Sequence, residues 1–193
     1  MNWKTIFNPF EKFDEKLLLL IGILTVLLSI AVGYWTGTSF NSIYKIGNLD
    51  HVSLKIVALS TLASFIFAII ILFILGKILN NKTRFIDIIN TVLISQLVLV
   101  ILQCTEKISF IDDAKERMIT YAQHPSDSIP LLDTSIMMGM ALLSITLLTY
   151  SIVLFYNGFK TATNIKKWQH IALFAVVSLV SVIICQIIMS KFI

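Results

Sequence analysis

Three amides in one apolar stretch are the side chains of this sequence best placed to meet a solute inside a membrane. Asn90, Gln96 and Gln103 interrupt a hydrophobic run over residues 86–104. Gln96 and Gln103 are seven residues apart and share one face of a helix, whereas Asn90 points elsewhere. An amide in lipid either bonds a neighbouring helix or lines a polar path. We interpret these amides as packing residues, with a solute path as the alternative.

No other group of residues predicts a reaction centre. His51, His124 and His170 lack the i, i+4 spacing that presents two imidazoles on one helical face to a metal. His124 and Asp127 make at most a lone pair in a turn. The chain has no phosphate-binding loop, GxSxG, HExxH or glycine-rich dinucleotide motif. We expect no catalytic, cofactor or metal site, and a protein that is not an enzyme.

The elements that position these amides are membrane helices. The 193-residue chain is 57% hydrophobic and 13% charged, with a mean hydropathy of +0.89, whereas soluble domains are about half apolar and a quarter charged. Five stretches reach the length of about twenty residues that crosses a bilayer as a helix: 17–36, 54–79, 86–104, 136–159 and 170–190. The predicted fold class is all-α, a polytopic bundle of five transmembrane helices over residues 17–193 after a leader over residues 1–16.

The positions of lysine and arginine predict the orientation. The leader and the second and fourth loops hold nine of the 15 basic residues, and the other side holds six. The positive-inside rule then places the N-terminus in the cytoplasm and the C-terminus outside. The excess of lysine over arginine and the abundant isoleucine favour a bacterial source, and so a bacterial inner membrane. The basic residues are spread over short loops, which argues against nucleic-acid binding.

Aromatic residues recur at three- and four-residue steps in the leader: Trp3, Phe7, Phe10 and Phe13. With charged residues between them, they predict an amphipathic helix lying in the cytoplasmic interface. The alternative is an ordinary aromatic anchor for the first span. Asn8 and Pro9 suit the cap and first position of a helix, so we expect the leader to break there.

Small residues recur at four-residue spacing in the first two spans. The stripes are Thr25, Ser29, Gly33 and Gly37 in the first, and Ser60, Ser64 and Ala68 in the second. Small residues let helix backbones approach closely. They predict packing within the bundle, with self-association as the alternative.

Three stretches carry a resemblance to a known family. They are Asn8-Pro9-Phe10-Glu11-Lys12-Phe13, residues 76–102, and residues 150–168 with the helix exit Tyr-Asn-Gly-Phe-Lys. Together they resemble the bacterial branch of the Yip family, the Ypt/Rab-GTPase-interacting-protein domain. The resemblance implies five spans and a cytoplasmic N-terminus. The chain lacks the Asp-Leu-Tyr-Gly-Pro signature and the long leader of the eukaryotic branch. The resemblance therefore does not imply GTPase binding.

Two functions are compatible with these patterns. The first is a non-enzymatic membrane scaffold or membrane-organising protein whose partners are the lipid bilayer and other membrane proteins or a second copy of the chain. The second is a small transporter or channel subunit that uses the polar face of the third span.

Overall fold

The fold is seen in a computed structural model that describes residues 3–49, 51–105, 107–123 and 131–191, with side chains from residue 5 onward. Helix α1 (Trp3–Phe7) and a 3-10 turn (Pro9–Glu11) form the leader, and α2 (Glu15–Thr36) follows. Strands β1 (Thr38–Ser42) and β2 (Lys45–Asn48) come next. The remaining helices are α3 (Leu54–Leu79), α4 (Phe85–Thr105), α5 (Ser109–Gln123), α6 (Leu131–Thr163) and α7 (Trp168–Met189).

Within the described residues, five helices are long and apolar enough to cross a membrane: α2, α3, α4, α6 and α7. The prediction of an all-α, five-span fold is therefore confirmed. Because the helices alternate in direction, the leader and the α3–α4 and α6–α7 loops share one end of the bundle, which we call the leader end. The opposite end, where the strands begin, is called the hairpin end.

Helix α4 forms the centre of the bundle, between α2 and α6. All three of its amides, Asn90, Gln96 and Gln103, are buried. Burying an amide against protein donors and acceptors costs less free energy than exposing it to lipid, so the span that carries these three amides packs between other helices.

The chain re-enters the bundle directly after α2. Gly37 ends that helix with a positive φ of 75°, a conformation that glycine adopts without steric cost. The fully buried ring of Phe40 then packs on Phe65 at 5.2 Å between ring centroids, about 16 Å along α3 from its first residue. At the tip, Tyr44 packs on Phe155 of α6 at 5.7 Å. The predicted spans leave residues 37–53 as a connection between two helices, whereas residues 38–48 form a hairpin that packs against α2, α3 and α7.

Helix α5 lies beside the first turns of α6. Arg117 donates two hydrogen bonds, from Nε and Nη2, to the carboxylate of Asp133 at 2.9 and 2.8 Å. The side chain of Asp133 is only 7% exposed, and a carboxylate in that position needs a paired charge. This contact fixes α5 on α6. His124 and Asp127 lie outside the described residues.

Candidate functional site

The leader is held on α6 by hydrogen bonds to its main chain. Tyr150 donates from Oη to the carbonyl oxygen of Ile6 at 2.9 Å, and Asn157 donates from Nδ2 to that of Phe7 at 2.7 Å. The rings of Phe7 and Tyr150 meet edge to face at 5.7 Å. We call this contact the leader clasp; it comprises Ile6, Phe7, Asn8 and Phe10 against Tyr150, Asn157, Gly158 and Thr161.

Gly158 is the point at which the leader, α4 and α6 come closest. A Cβ atom there would lie 2.7 Å from Oγ1 of Thr91 and 2.9 Å from Cε2 of Phe10. Neither distance leaves room for a methyl group. One turn further on, Asn8 donates from Nδ2 to Oγ1 of Thr161 at 3.4 Å. The absence of a side chain at Gly158 therefore lets Phe10 pack into the bundle.

A groove of about 340 Å³ opens beside the clasp, lined by Phe10, Phe13, Asp14, Glu15, Leu18, Arg84, Asp87, Asn90, Gly158, Thr161 and Ala162. Arg84 pairs with Glu15 at 2.8 Å and with both carboxylate oxygens of Asp87 at 3.0 and 2.8 Å. The hydrogen bond with Asp87 and the charges of Asp87 and Glu15 raise the pKa of Arg84 further above its ordinary value. These pairs are largely exposed, so they orient the start of α2 more than they stabilise it.

Asn90 adds a buried bond at the floor of this groove. Its Nδ2 donates to the carbonyl oxygen of Glu15 at 3.2 Å, while its Oδ1 has no hydrogen-bond partner among the described residues. The first turn of α2 is thus fixed to α4 by a side-chain amide as well as by the ion pairs.

The α3–α4 loop joins the same end. Asn80 donates from Nδ2 to the carbonyl oxygen of Thr163 at 3.0 Å, and Thr83 donates from Oγ1 to that of Gly76 at 3.0 Å. Asn164, which follows α6, has a positive φ of 50°, as an asparagine after a helix can adopt. The three stretches that carry the family resemblance therefore meet at the leader end, although they are far apart in sequence.

The predicted interfacial residues have different surroundings. Phe7 and Phe13 are 40% and 42% exposed, whereas Phe10 is partly buried between α4 and α6. Trp3 lies in α1, and its side chain is outside the described part of the chain. Placement of the leader in the interface stays a prediction. The hydrogen bonds show that α6, in addition, holds the leader in place.

The two amides on the shared face of α4 point into the protein. Gln103 donates from Nε2 to Oγ1 of Thr38 at 3.3 Å, and Gln96 donates from Nε2 to Oγ of Ser95 at 3.2 Å. Ser151 of α6 donates to the carbonyl oxygen of Ser95 at 2.8 Å. The Oε1 atoms of both glutamines have no hydrogen-bond partner among the described residues. The side-chain nitrogen atoms of the two glutamines thus bind neighbouring hydroxyls, whereas their side-chain oxygen atoms can still accept hydrogen bonds.

Most of the small stripe of α2 lies on its buried face. Thr25, Ser29 and Gly33 are buried, and the hydroxyl of Ser29 donates to the carbonyl oxygen of Thr25 at 2.8 Å. A Cβ atom on Gly33 would lie 2.6 Å from the carbonyl oxygen of Thr38. Gly37 has a different role, since it ends the helix.

The second small stripe faces the interior from α3. Ser60 and Ser64 are buried, and each hydroxyl donates to a carbonyl oxygen of its own helix. Ser64 lies beside Ser42 of the hairpin and Cys185 of α7. Small side chains here make room for the hairpin between α3 and α7.

Comparison with known proteins assigns the family. The Yip1 domain matches residues 3–189. No curated protein and no solved structure matches the chain. The match includes the leader, the hairpin and all five long helices, and it confirms the family suggested by the sequence. The chain belongs to the Yip1 domain family.

Proposed function

We propose that this chain is a non-enzymatic membrane scaffold that binds other membrane proteins through its leader end. The charge distribution predicts that this end faces the cytoplasm of a bacterial cell. The observation that carries the proposal is the leader clasp, because it turns a short amino-terminal segment into an ordered part of the bundle surface.

An ordered leader favours binding for a thermodynamic reason. A partner that docks on a segment already fixed by Tyr150 and Asn157 does not have to order that segment itself. Phe13 lines the charged groove around Arg84, and Phe7 presents further exposed aromatic surface on the leader. Exposed aromatic side chains bordered by charged residues are typical of protein interfaces.

The interior supports a packing role for the amides. Gln103 donates to the hairpin, and Gln96 donates to a serine whose carbonyl oxygen accepts a bond from α6. Among the described residues with buried side chains, Asp133 is the one charged residue, and it is paired with Arg117. This interior contains groups suited to holding helices together.

One observation favours the second candidate function, a small transporter or channel subunit. The Oε1 atoms of Gln96 and Gln103 are buried and without a partner in the described chain. Buried acceptors of this kind can coordinate water or a cation that passes along the face of α4.

A flux assay in liposomes separates the two functions. The purified chain is reconstituted, and the movement of K⁺, chloride and glycerol is followed for wild type, Gln96→Leu and Gln103→Leu. The matched control is Gln123→Leu, which removes an exposed amide from the end of α5. We expect all four proteins to match protein-free vesicles. Flux that is lost in the two α4 variants and retained in Gln123→Leu would establish the transporter and contradict the scaffold.

A further inference from the structure

Lys45, the first residue of β2, lies deep in the bundle. The preceding residue, Tyr44, packs on Phe155 of α6, which in turn packs on Phe174 of α7. Phe174 is about 9 Å along α7 from the leader end of that helix. The strand partner of Lys45 is Ser42, which lies beside Ser64 of α3. The backbone of Lys45 is therefore far from the hairpin end, near half the depth of the bundle.

The ammonium group of Lys45 has no ion-pair partner among the described residues. Its side chain is exposed. A lysine that faces hydrocarbon directly is strongly disfavoured, and charged residues inside membranes mark binding sites or polar paths. The position therefore requires water or an anion beside Lys45.

The strand that carries Lys45 is open on one side. β2 packs chiefly on β1, while β1 packs on α2, α3 and α7. Helices α6 and α7 meet through aromatic rings towards the leader end, where Phe159 stacks on Phe174 at 4.5 Å. Towards the hairpin end, α6 packs on α5 and α7 packs on β1 and α3. Among the described residues, α6 and α7 thus share few contacts beyond these rings, and β2 has no helix as a main packing partner.

Two further polar atoms at the hairpin tip lack a hydrogen-bond partner among the described residues. They are the buried Oγ of Ser42 and the buried Oη of Tyr44. Buried hydroxyls of this kind are rare in folded proteins and call for an explanation. The tip of the hairpin thus has one exposed cation, Lys45, and two buried hydroxyls without a protein partner among the described residues.

We propose that the hairpin tip binds the phosphate of an anionic phospholipid that enters sideways between α6 and α7. The ammonium of Lys45 neutralises the phosphate, as in other charge-assisted contacts. A phospholipid fits better than free phosphate because α6 and α7 expose apolar side chains over these depths, among them Leu142, Ile145 and Ile183. An acyl chain can lie on those side chains while the head group reaches Lys45. This inference does not rest on the proposed scaffold function.

Lipid binding by the purified chain of 193 residues tests the proposal. Native mass spectrometry follows titration with phosphatidylglycerol for wild type, Lys45→Gln and Lys45→Arg. The matched control is Lys55→Gln, which removes an exposed lysine at the start of α3. We expect Lys45→Gln to raise the Kd for phosphatidylglycerol about tenfold, the effect of losing one charge-assisted contact. Lys45→Arg and Lys55→Gln should bind as wild type does.

A measurement on the wild-type chain covers the case in which Lys45→Gln does not fold. Acetylation of lysine amines is followed residue by residue, with phosphatidylglycerol, with diacylglycerol of the same acyl chains, or with inorganic phosphate. Phosphatidylglycerol alone should protect Lys45, and it should leave Lys55 unprotected. Equal protection by inorganic phosphate, protection by diacylglycerol, or no protection of Lys45 would each overturn the proposal. Unchanged phosphatidylglycerol affinity in folded Lys45→Gln would overturn it as well.

Discussion

Asn157 donates a 2.7 Å hydrogen bond from its side-chain Nδ2 to the main-chain carbonyl oxygen of Phe7, a residue 150 positions earlier. The acceptor belongs to the backbone, so the bond depends on the path of the leader rather than on the side chain of Phe7. Tyr150 makes the same kind of bond to Ile6. These contacts mean that α6 sets the position of the leader at Ile6 and Phe7.

Substitution Asn157→Leu should release the leader. It removes the bond to Phe7 and leaves the carbonyl oxygen without that donor, at a cost of about 1 kcal/mol in the free energy of unfolding. Amide hydrogen exchange over residues 3–13 should become faster, as measured by mass spectrometry. Asn81→Leu, in the exposed part of the α3–α4 loop, is the control and should leave exchange in the leader unchanged. Equal exchange in wild type and Asn157→Leu would show that the leader is held by other contacts.

Gly158→Ala should destabilise the bundle, whereas Gly139→Ala in the same helix should not. A methyl group on Gly158 collides with Thr91 and Phe10, whereas among the described residues no packing neighbour lies within 4 Å of the corresponding position on Gly139. Overpacking of this kind costs about 1–3 kcal/mol, while alanine replaces glycine in an open helix with a gain of up to about 1 kcal/mol. Thermal unfolding in detergent measures the change in stability of both variants. Similar changes in the two variants would refute close packing at the clasp.

Gly33→Leu should also destabilise the bundle, because the stripe on α2 brings Gly33 against the carbonyl oxygen of Thr38. Ala31→Leu changes an exposed position of the same helix and serves as the control. Its free energy of unfolding should stay within about 0.5 kcal/mol of wild type, as at an uninvolved surface site. If Gly33→Leu behaves in the same way as this control, the stripe does not pack inside the bundle.

The five-span fold was predictable because a bilayer admits few structures other than apolar helices, and hydropathy reports them directly. The hairpin was not predictable. The segment 38–48 is short and mixed in polarity, and Phe40 is buried through the packing of its strand on α2, α3 and α7, where its ring meets Phe65. The leader clasp left no signal either, since Asn157 and Tyr150 bind main-chain atoms that every residue has. Such contacts arise from tertiary structure and are invisible to local periodicity.

The predicted orientation can be tested by thiol labelling. Cys104 is partly exposed near the end of α4, whereas Cys185 is buried on α7. We expect a membrane-impermeant reagent outside intact cells to label Cys104 and to label Cys185 slowly or not at all. A cysteine introduced by Asn81→Cys, at the leader end, should stay protected until the cells are opened. If the reagent labelled Asn81→Cys from outside and left Cys104 unlabelled, the orientation would be the reverse of the predicted one.

The central claim, that the clasped leader end binds other membrane proteins, is tested most directly by photo-crosslinking in living cells. A photoreactive amino acid replaces Phe13, which is exposed beside the groove, or Leu142, which is exposed on α6 towards the hairpin end. The photoreactive residue at position 13 should yield a discrete adduct with a membrane protein, whereas the one at position 142 should not. The yield of this adduct should fall when Asn157→Leu releases the leader. Lipid adducts alone at Phe13, or a protein adduct unchanged by Asn157→Leu, would contradict the account.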